Sequence, residues 1–305
     1  MSTEYIHFTA EQKEAARQTD LVALLQSQGE HLKRSGKEYV WRDGSEKVTV
    51  RGNLWFHQYE RIGGDAVDFV RRFYNMDFPQ AVNFLLGNNG DALPQAEPIE
   101  QEPTKPFSLP PKNNNMGRVY AYLLNRRGID REVLSAFVHK GMIYESADYH
   151  NAVFVGYDEK GIARHAHKRG TGSESTYKGN AESCDPRYSF HWTGTDNALY
   201  LFEAPIDMLS FISLHKENWR SHSYAAACCV GDQVLFQMLK TNSNIDTVYL
   251  CMDNDAAGQA ANKRISDKLF IQGIKHEILV PEFKDWKQVH RPVCKAPRPN
   301  RLQGE

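Results

Sequence analysis

The sequence predicts an α/β fold: a parallel sheet flanked by helices, preceded by an α+β subdomain and a small α+β N-terminal domain. Three observations carry this. From Ala198 onward, short apolar runs alternate with longer segments of helical spacing, the pattern of βαβ units. Before them, two helical segments lead into a hairpin, Ala152–Tyr157 and Ile162–Lys168. A stretch holding six of the 13 prolines separates this half from a first group of short helices and strands. At roughly 100–200 residues per domain, 305 residues allow two or three.

In chain order, Thr9–Gln28 is predicted as a helix with Leu21, Leu24 and Leu25 on one face. Glu38–Val50 and Asn53–Tyr59 alternate as short strands, and Gly63-Gly64 interrupts the chain. Asp65–Tyr74 resumes helical spacing through Ala66, Phe69, Val70 and Phe73. Asp77 is placed to cap a helix over Phe78–Leu86, with Pro79 tolerated in its first turn. These elements make a domain over residues 1–86. Residues 87–116 lack apolar periodicity and are expected to be an extended linker. Residues 117–196 form the second region, with helices at Arg118–Asn125 and Asp130–Val138 around Arg127-Gly128, then the hairpin turning at Asp158–Gly161. Residues 197–283 read as three strand–helix steps, Ala198–Phe202 and Pro205–His215, Ser223–Val230 and Gly231–Lys240, Thr247–Met252 and Ala256–Gln272, and a last strand, Ile274–Pro281. Residues 284–305 form a basic tail.

Lys+Arg 37 against Asp+Glu 38 gives a formal charge of -1, so a nucleic-acid surface has to be local. No run approaches the length of a membrane span, and the N-terminus lacks a basic stretch followed by an apolar core. The five cysteines (Cys184, Cys228, Cys229, Cys251 and Cys294) are odd in number and form no CxxC, which fits a reducing cytoplasm. None precedes Cys184, which disfavours a cysteine zinc ribbon, and no zinc is expected.

In open parallel sheets, ligands bind beyond the carboxyl ends of the strands. Acidic residues stand there twice: Glu203 after LYLF, and Asp253 and Asp255 after VYLCM. If the two strands are neighbours, three carboxylates converge. Hard oxygen donors of this kind suit Mg²⁺, with Mn²⁺ able to take its place, and a Mg²⁺ at a sheet edge suits phosphoryl or nucleotidyl transfer or phosphodiester hydrolysis.

EAPID (Glu203–Asp207) and MDNDAAG (Met252–Gly258) resemble the two signatures of toprim domains, the fold shared by bacterial-type primases, some topoisomerases and some nucleases. The resemblance implies catalytic and metal-binding roles for Glu203, Asp253 and Asp255, a supporting place for Asp207, and a late acidic metal ligand at Asp285. Ala204 stands where that family usually has Gly. YLLNRRGIDREVLSAF (Tyr122–Phe137) is similar to the helical entry of bacterial DnaG-type primase cores, and Val153–Gly170 with Tyr177–Asn180 to their basic hairpin. By that similarity Arg164, Lys168, Arg169 and Lys178 would line a groove for nucleic acid or nucleotide. The N-terminal domain resembles the zinc ribbon of those enzymes without its cysteines. It offers His31 and His57, and Trp41, Trp55 and Phe56 as an apolar core in place of metal.

The resemblance implies a Mg²⁺-dependent, primase-like nucleotidyltransferase in replication or transfer of a mobile element such as a plasmid. Its expected partners are single-stranded DNA, nucleoside triphosphates and other replication or conjugation proteins, without a membrane. Two alternatives stay open: a toprim nuclease cleaving DNA phosphodiesters, and a non-catalytic DNA-binding accessory protein.

Overall fold

The computed structural model describes residues 8–43, 46–60, 62–87, 94–97, 105–229 and 231–286. The chain divides into two compact units, 1–104 and 105–305.

In the first unit, α1 (Ala10–Arg17) opens with a capping box between Thr9 and Gln12. The expected single helix over 9–28 is two. Asp20 accepts from the N–H of Ala23 and starts α2 (Leu21–Ser27) afresh. The break is fixed by a distant segment: the Asp20 N–H donates to the Pro94 carbonyl, and the Ala96 N–H to that of Gln18. Five strands follow in an antiparallel sheet in chain order: β1 (Lys33–Ser35), β2 (Glu38–Asp43), β3 (Glu46–Arg51), β4 (Leu54–His57) and β5 (Gly63–Gly64). Capping boxes at Asp65 and Asp77 start α3 (Ala66–Phe73) and α4 (Phe78–Leu85). Trp41 and Trp55 pack on Phe69 and Phe73, with ring centroids 5.1–6.1 Å apart. Phe56 is half-buried and, by strand alternation, faces away from that cluster, so Phe69 and Phe73 take the place predicted for it. His57 is buried and its Nδ1 accepts from the N–H of Glu60, while His31 is exposed.

In the second unit, the predicted linker gives way to a strap at its C-terminal end. Phe107 and Leu109 pack on a sheet, Pro110 O accepts from Tyr144 Oη (2.6 Å), and Asn113 bonds Glu145 through both backbone and side chain (2.8 Å each). An extended, unpacked linker to residue 116 is therefore corrected. Proline removes donors without preventing side chains from packing. Helix α5 (Gly117–Tyr120) runs into a π-helical stretch, Ala121–Arg126, and α6 (Arg131–His139) follows with Asp130 as its cap. The second sheet is antiparallel, again in chain order: β6 (Ile143–Glu145), β7 (Ala152–Tyr157), β8 (Ala163–Arg169) and β9 (Lys178–Asn180).

The third sheet holds β10 (His191–Trp192), β11 (Ala198–Phe202), β12 (Ser223–Ala226), β13 (Thr247–Cys251) and β14 (Lys275–Ile278) in the order β10-β12-β11-β13-β14. All pairings are parallel except that of β10. One face carries α7 (Pro205–Leu214) and α6; the other carries α8 (Gln233–Thr241) and α9 (Ala256–Ile271). Phe137, Phe154, Phe190 and Phe202 share one core, so residues 117–196 and 197–283 are not separately packed. The expected tail also begins later. Trp286 is buried, donates from Nε1 to Cys251 O (2.9 Å) and stands edge-on to Phe211. The cations from Lys287 onward lie outside the described residues.

Candidate functional site

The parallel register of β11 and β13 pairs Phe202 with Cys251. The next residues out are Glu203 on one strand and Met252 then Asp253 on the other, so both carboxylates leave the sheet side by side. Asp207, buried in the first turn of α7, joins them, where the helix dipole favours negative charge. These three line a cavity of about 140 Å³ with Arg127, Phe154, His167, Arg169, Lys178, Ala204, Pro205 and Ile206. Ala204 has φ -135 and ψ 157, extended backbone open to any residue, so its departure from Gly costs no strain.

The facing wall comes from β8 and β9. Strand alternation puts His165, His167 and Arg169 on the face toward the carboxylate sheet and Arg164 and Lys168 on the other. Arg169 donates from Nε to Tyr122 Oη (3.3 Å), and Arg127 lies over the same ring at 4.9 Å. Asn180 donates from Nδ2 to Cys228 O, which turns its Oδ1 toward His167 Nδ1 at 2.7 Å. His167 Nδ1 therefore carries the proton and Nε2 keeps a lone pair. Burial pushes the His167 pKa down to about 4 and that of His165 to about 3, so both rings are neutral at neutral pH.

The remaining predicted residues go elsewhere. Asp255 caps α9, accepting from the N–H of Gly258 (3.0 Å) and pairing with Lys284 at 3.5 Å. The Gly258 hydrogen bond, with help from Lys284, holds its carboxyl below the usual range. It does not line the cavity, and neither does the half-buried Asp285. Gly258 has a structural reason: a Cβ there would sit 2.0 Å from Asp253 O. Only glycine lets α9 begin against the backbone that presents Asp253. Arg164 pairs with Asp158 at 2.8 Å, and Lys168 lines a separate cavity of about 710 Å³ beside the strap. The convergence of Glu203, Asp253 and Asp255 is thus replaced by Glu203, Asp207 and Asp253. Arg127, not singled out from the sequence, completes the cationic wall; its place in the RRG turn before α6 was the available signal.

Among the described residues, no three His, Cys, Asp or Glu side chains stand close enough to enclose a metal ion by themselves. Mg²⁺ does not need such a cage, because it is held by one or two carboxylates and completes its shell with water and phosphate. Glu203 and Asp253 fit that requirement.

Residues 200–290 match the Toprim-like family, a span that holds Glu203, Asp253, Asp255 and Asp285. The chain carries a toprim-like domain. Residues 121–196 match a family described as a protein of unknown function, DUF3991. The uncharacterized protein pXO2-78 of Bacillus anthracis is 26% identical over 274 residues, which cover 85% of this chain and 79% of that protein. A 65 kDa protein of Zymomonas mobilis is 22% identical over 306 residues, covering 93% of this chain and 50% of its own length, so the chain spans half of that relative. Among solved structures, the zinc-binding and RNA polymerase domains of the Aquifex aeolicus primase are similar over 92% of this chain and 82% of theirs, at 16% identity and a TM-score of 0.39. Among the described residues, no helix is long and apolar enough to cross a membrane.

Proposed function

We propose that this chain is a primase-like nucleotidyltransferase acting on single-stranded DNA with nucleoside triphosphates, in the cytoplasm and in the service of a mobile element. One observation carries the reading: a cavity at the carboxyl edge of a parallel sheet sets Glu203, Asp207 and Asp253 against Arg127, Arg169 and Lys178. A phosphate ester needs both sides of such a site. The carboxylates would hold Mg²⁺, whose charge offsets that developing on a transferring phosphoryl group. Arg169 and Lys178 supply direct contacts to phosphate oxygens, and Arg127 extends the same wall. His167, neutral and with Nε2 able to accept, offers a hydrogen bond to a hydroxyl without adding charge. Asp207, in the first turn of α7, adds a third carboxyl group to the same cavity.

The test is a synthesis assay. Purified chain is incubated with single-stranded DNA, Mg²⁺ and labelled nucleoside triphosphates beside its Asp253→Asn variant. Short labelled products that vanish in the variant are expected. A shortened template without incorporation would instead make the chain a nuclease. An intact template with retained DNA in a shift assay would make it a binding protein.

A further inference from the structure

The outer edge of β14 is unpaired among the described residues, while the opposite end of the same sheet closes with the two-residue β10. An open edge is a template for another strand. Leu279 N–H donates inward to Leu250 O, so by alternation Lys275 and Glu277 also bond toward β13. His276 and Ile278 then present backbone groups outward. The local sequence, Ile274-Lys275-His276-Glu277-Ile278, reads the same in character in both directions, with opposite charges placed symmetrically about His276.

We propose that β14 is an interface between two copies of this chain, paired antiparallel across a two-fold axis at His276. In that register the outward groups meet. His276 N–H of each copy donates to His276 O of the other, and each Ile278 N–H to the Ile274 O opposite. Ile274 N–H is already committed to Leu269 O, so it asks for nothing across the edge. Lys275 and Glu277 fall on non-hydrogen-bonded pairs, where side chains approach most closely, and each Lys275 stands opposite the other copy's Glu277. The His276 ring does not obstruct the axis: Nδ1 faces Ile274 O (2.9 Å) and Nε2 faces Ser266 Oγ (2.7 Å), which hold it against its own α9.

The surface flanking β14 carries exposed apolar side chains. Phe270 and Ile271, at the end of α9, are 80% and 82% exposed, and Val280 and Phe283 are 57% and 47% exposed. Both pairs flank β14 in the chain, so pairing of two copies along this edge gathers exposed apolar side chains at its ends.

Sedimentation equilibrium of the full chain over a range of concentrations tests this. The wild type is expected to approach twice the chain mass. Glu277→Lys and Lys275→Glu each place like charges opposite and are expected to weaken association at least about ten-fold. The double variant restores opposite pairs and recovers the dimer. All these side chains are exposed, so thermal melts should match and exclude misfolding. A monomer at every concentration overturns the proposal and leaves the edge to residues beyond 286 or to another protein. A dimer indifferent to the single changes, or not recovered by the double one, overturns it as well.

Discussion

The two strand exits that supply the acidic residues are built differently. After β11 the chain passes from Glu203 through Ala204 directly into α7, of which nine of ten residues are buried. The helix needs no side-chain cap from this exit, and Glu203 and Asp207 both remain on the cavity. After β13 the chain runs Asp253-Asn254-Asp255 before α9, and the second aspartate is consumed as the helix cap. Of two carboxylates two residues apart, one therefore lines the cavity and the other starts the helix that packs against its neighbour's backbone. Identical side chains in one short motif divide between cavity lining and helix capping according to which backbone N–H groups lie within reach.

The sharpest way to break this comparison is to neutralise each aspartate in turn. Asp253→Asn should lower incorporation at least about 100-fold, the scale of removing one group that stabilises transition-state charge. Asp255→Asn should stay within about ten-fold of the wild type, because Asn caps as well as Asp. Equal losses in steady-state incorporation would mean that both aspartates serve the site.

The wall facing the two exits gives the next largest effect. His165 and His167 have folded pKa values near 3 and 4 against an ordinary 6.5. Their folded values are depressed, so as pH falls the unfolded chain takes up protons first. Stability is then lost from pH 6.5 down to about 4 for His167 and about 3 for His165. The slope is on the order of 1.4 kcal/mol per pH unit for each ring, about 3 kcal/mol for His167 and about 5 kcal/mol for His165 over their windows. Denaturant unfolding at a series of pH values should show it, and His165→Leu should remove one ring's share of the slope.

Gly258→Ala probes how α9 holds the second exit. A Cβ 2.0 Å from Asp253 O forces backbone to move, at about 1–3 kcal/mol of unfolding free energy. Incorporation should fall with it, since the displaced atoms belong to Asp253. A stable variant of full activity would show that the helix start does not position that residue.

Much of this was legible because the informative patterns are local. Apolar runs ending in Glu203 and Asp253 mark strand exits, and parallel pairing of β11 with β13 makes them neighbours. The separation of Arg169 from Arg164 and Lys168 was also present, in the two-residue period of β8, but a count of cations along a hairpin overlooks it. Other features depend on distant partners. The break between α1 and α2 needs residues 94–96. The strap needs Tyr144 and Glu145. Trp286, one aromatic in a basic stretch, docks only because Cys251 O and Phe211 meet it. No spacing within those segments announces such contacts.

The smallest effect separates the two tasks at the second exit. Asp255→Ala removes the bond to the Gly258 N–H and leaves a helix donor without its cap, at about 1 kcal/mol. Asp255→Asn keeps that bond and loses only attraction to Lys284, whose side chain is 62% exposed, and such pairs are worth about 0–1 kcal/mol. The unfolding midpoint should therefore fall for Ala and move by a few tenths of that for Asn, with an unchanged denaturant slope. The Asp255 carboxyl sits below its usual range when folded, so its charge stabilises above the unfolded value of 3.8 and that contribution is lost as pH falls through the folded value. Wild type and Asn variant should thus converge in strong acid, while the Ala variant stays lower, because the amide and the protonated carboxyl both still accept from Gly258. If Asn were as damaging as Ala at neutral pH, the charge rather than the cap would be what Asp255 contributes, and the division of labour between the two aspartates would be wrong.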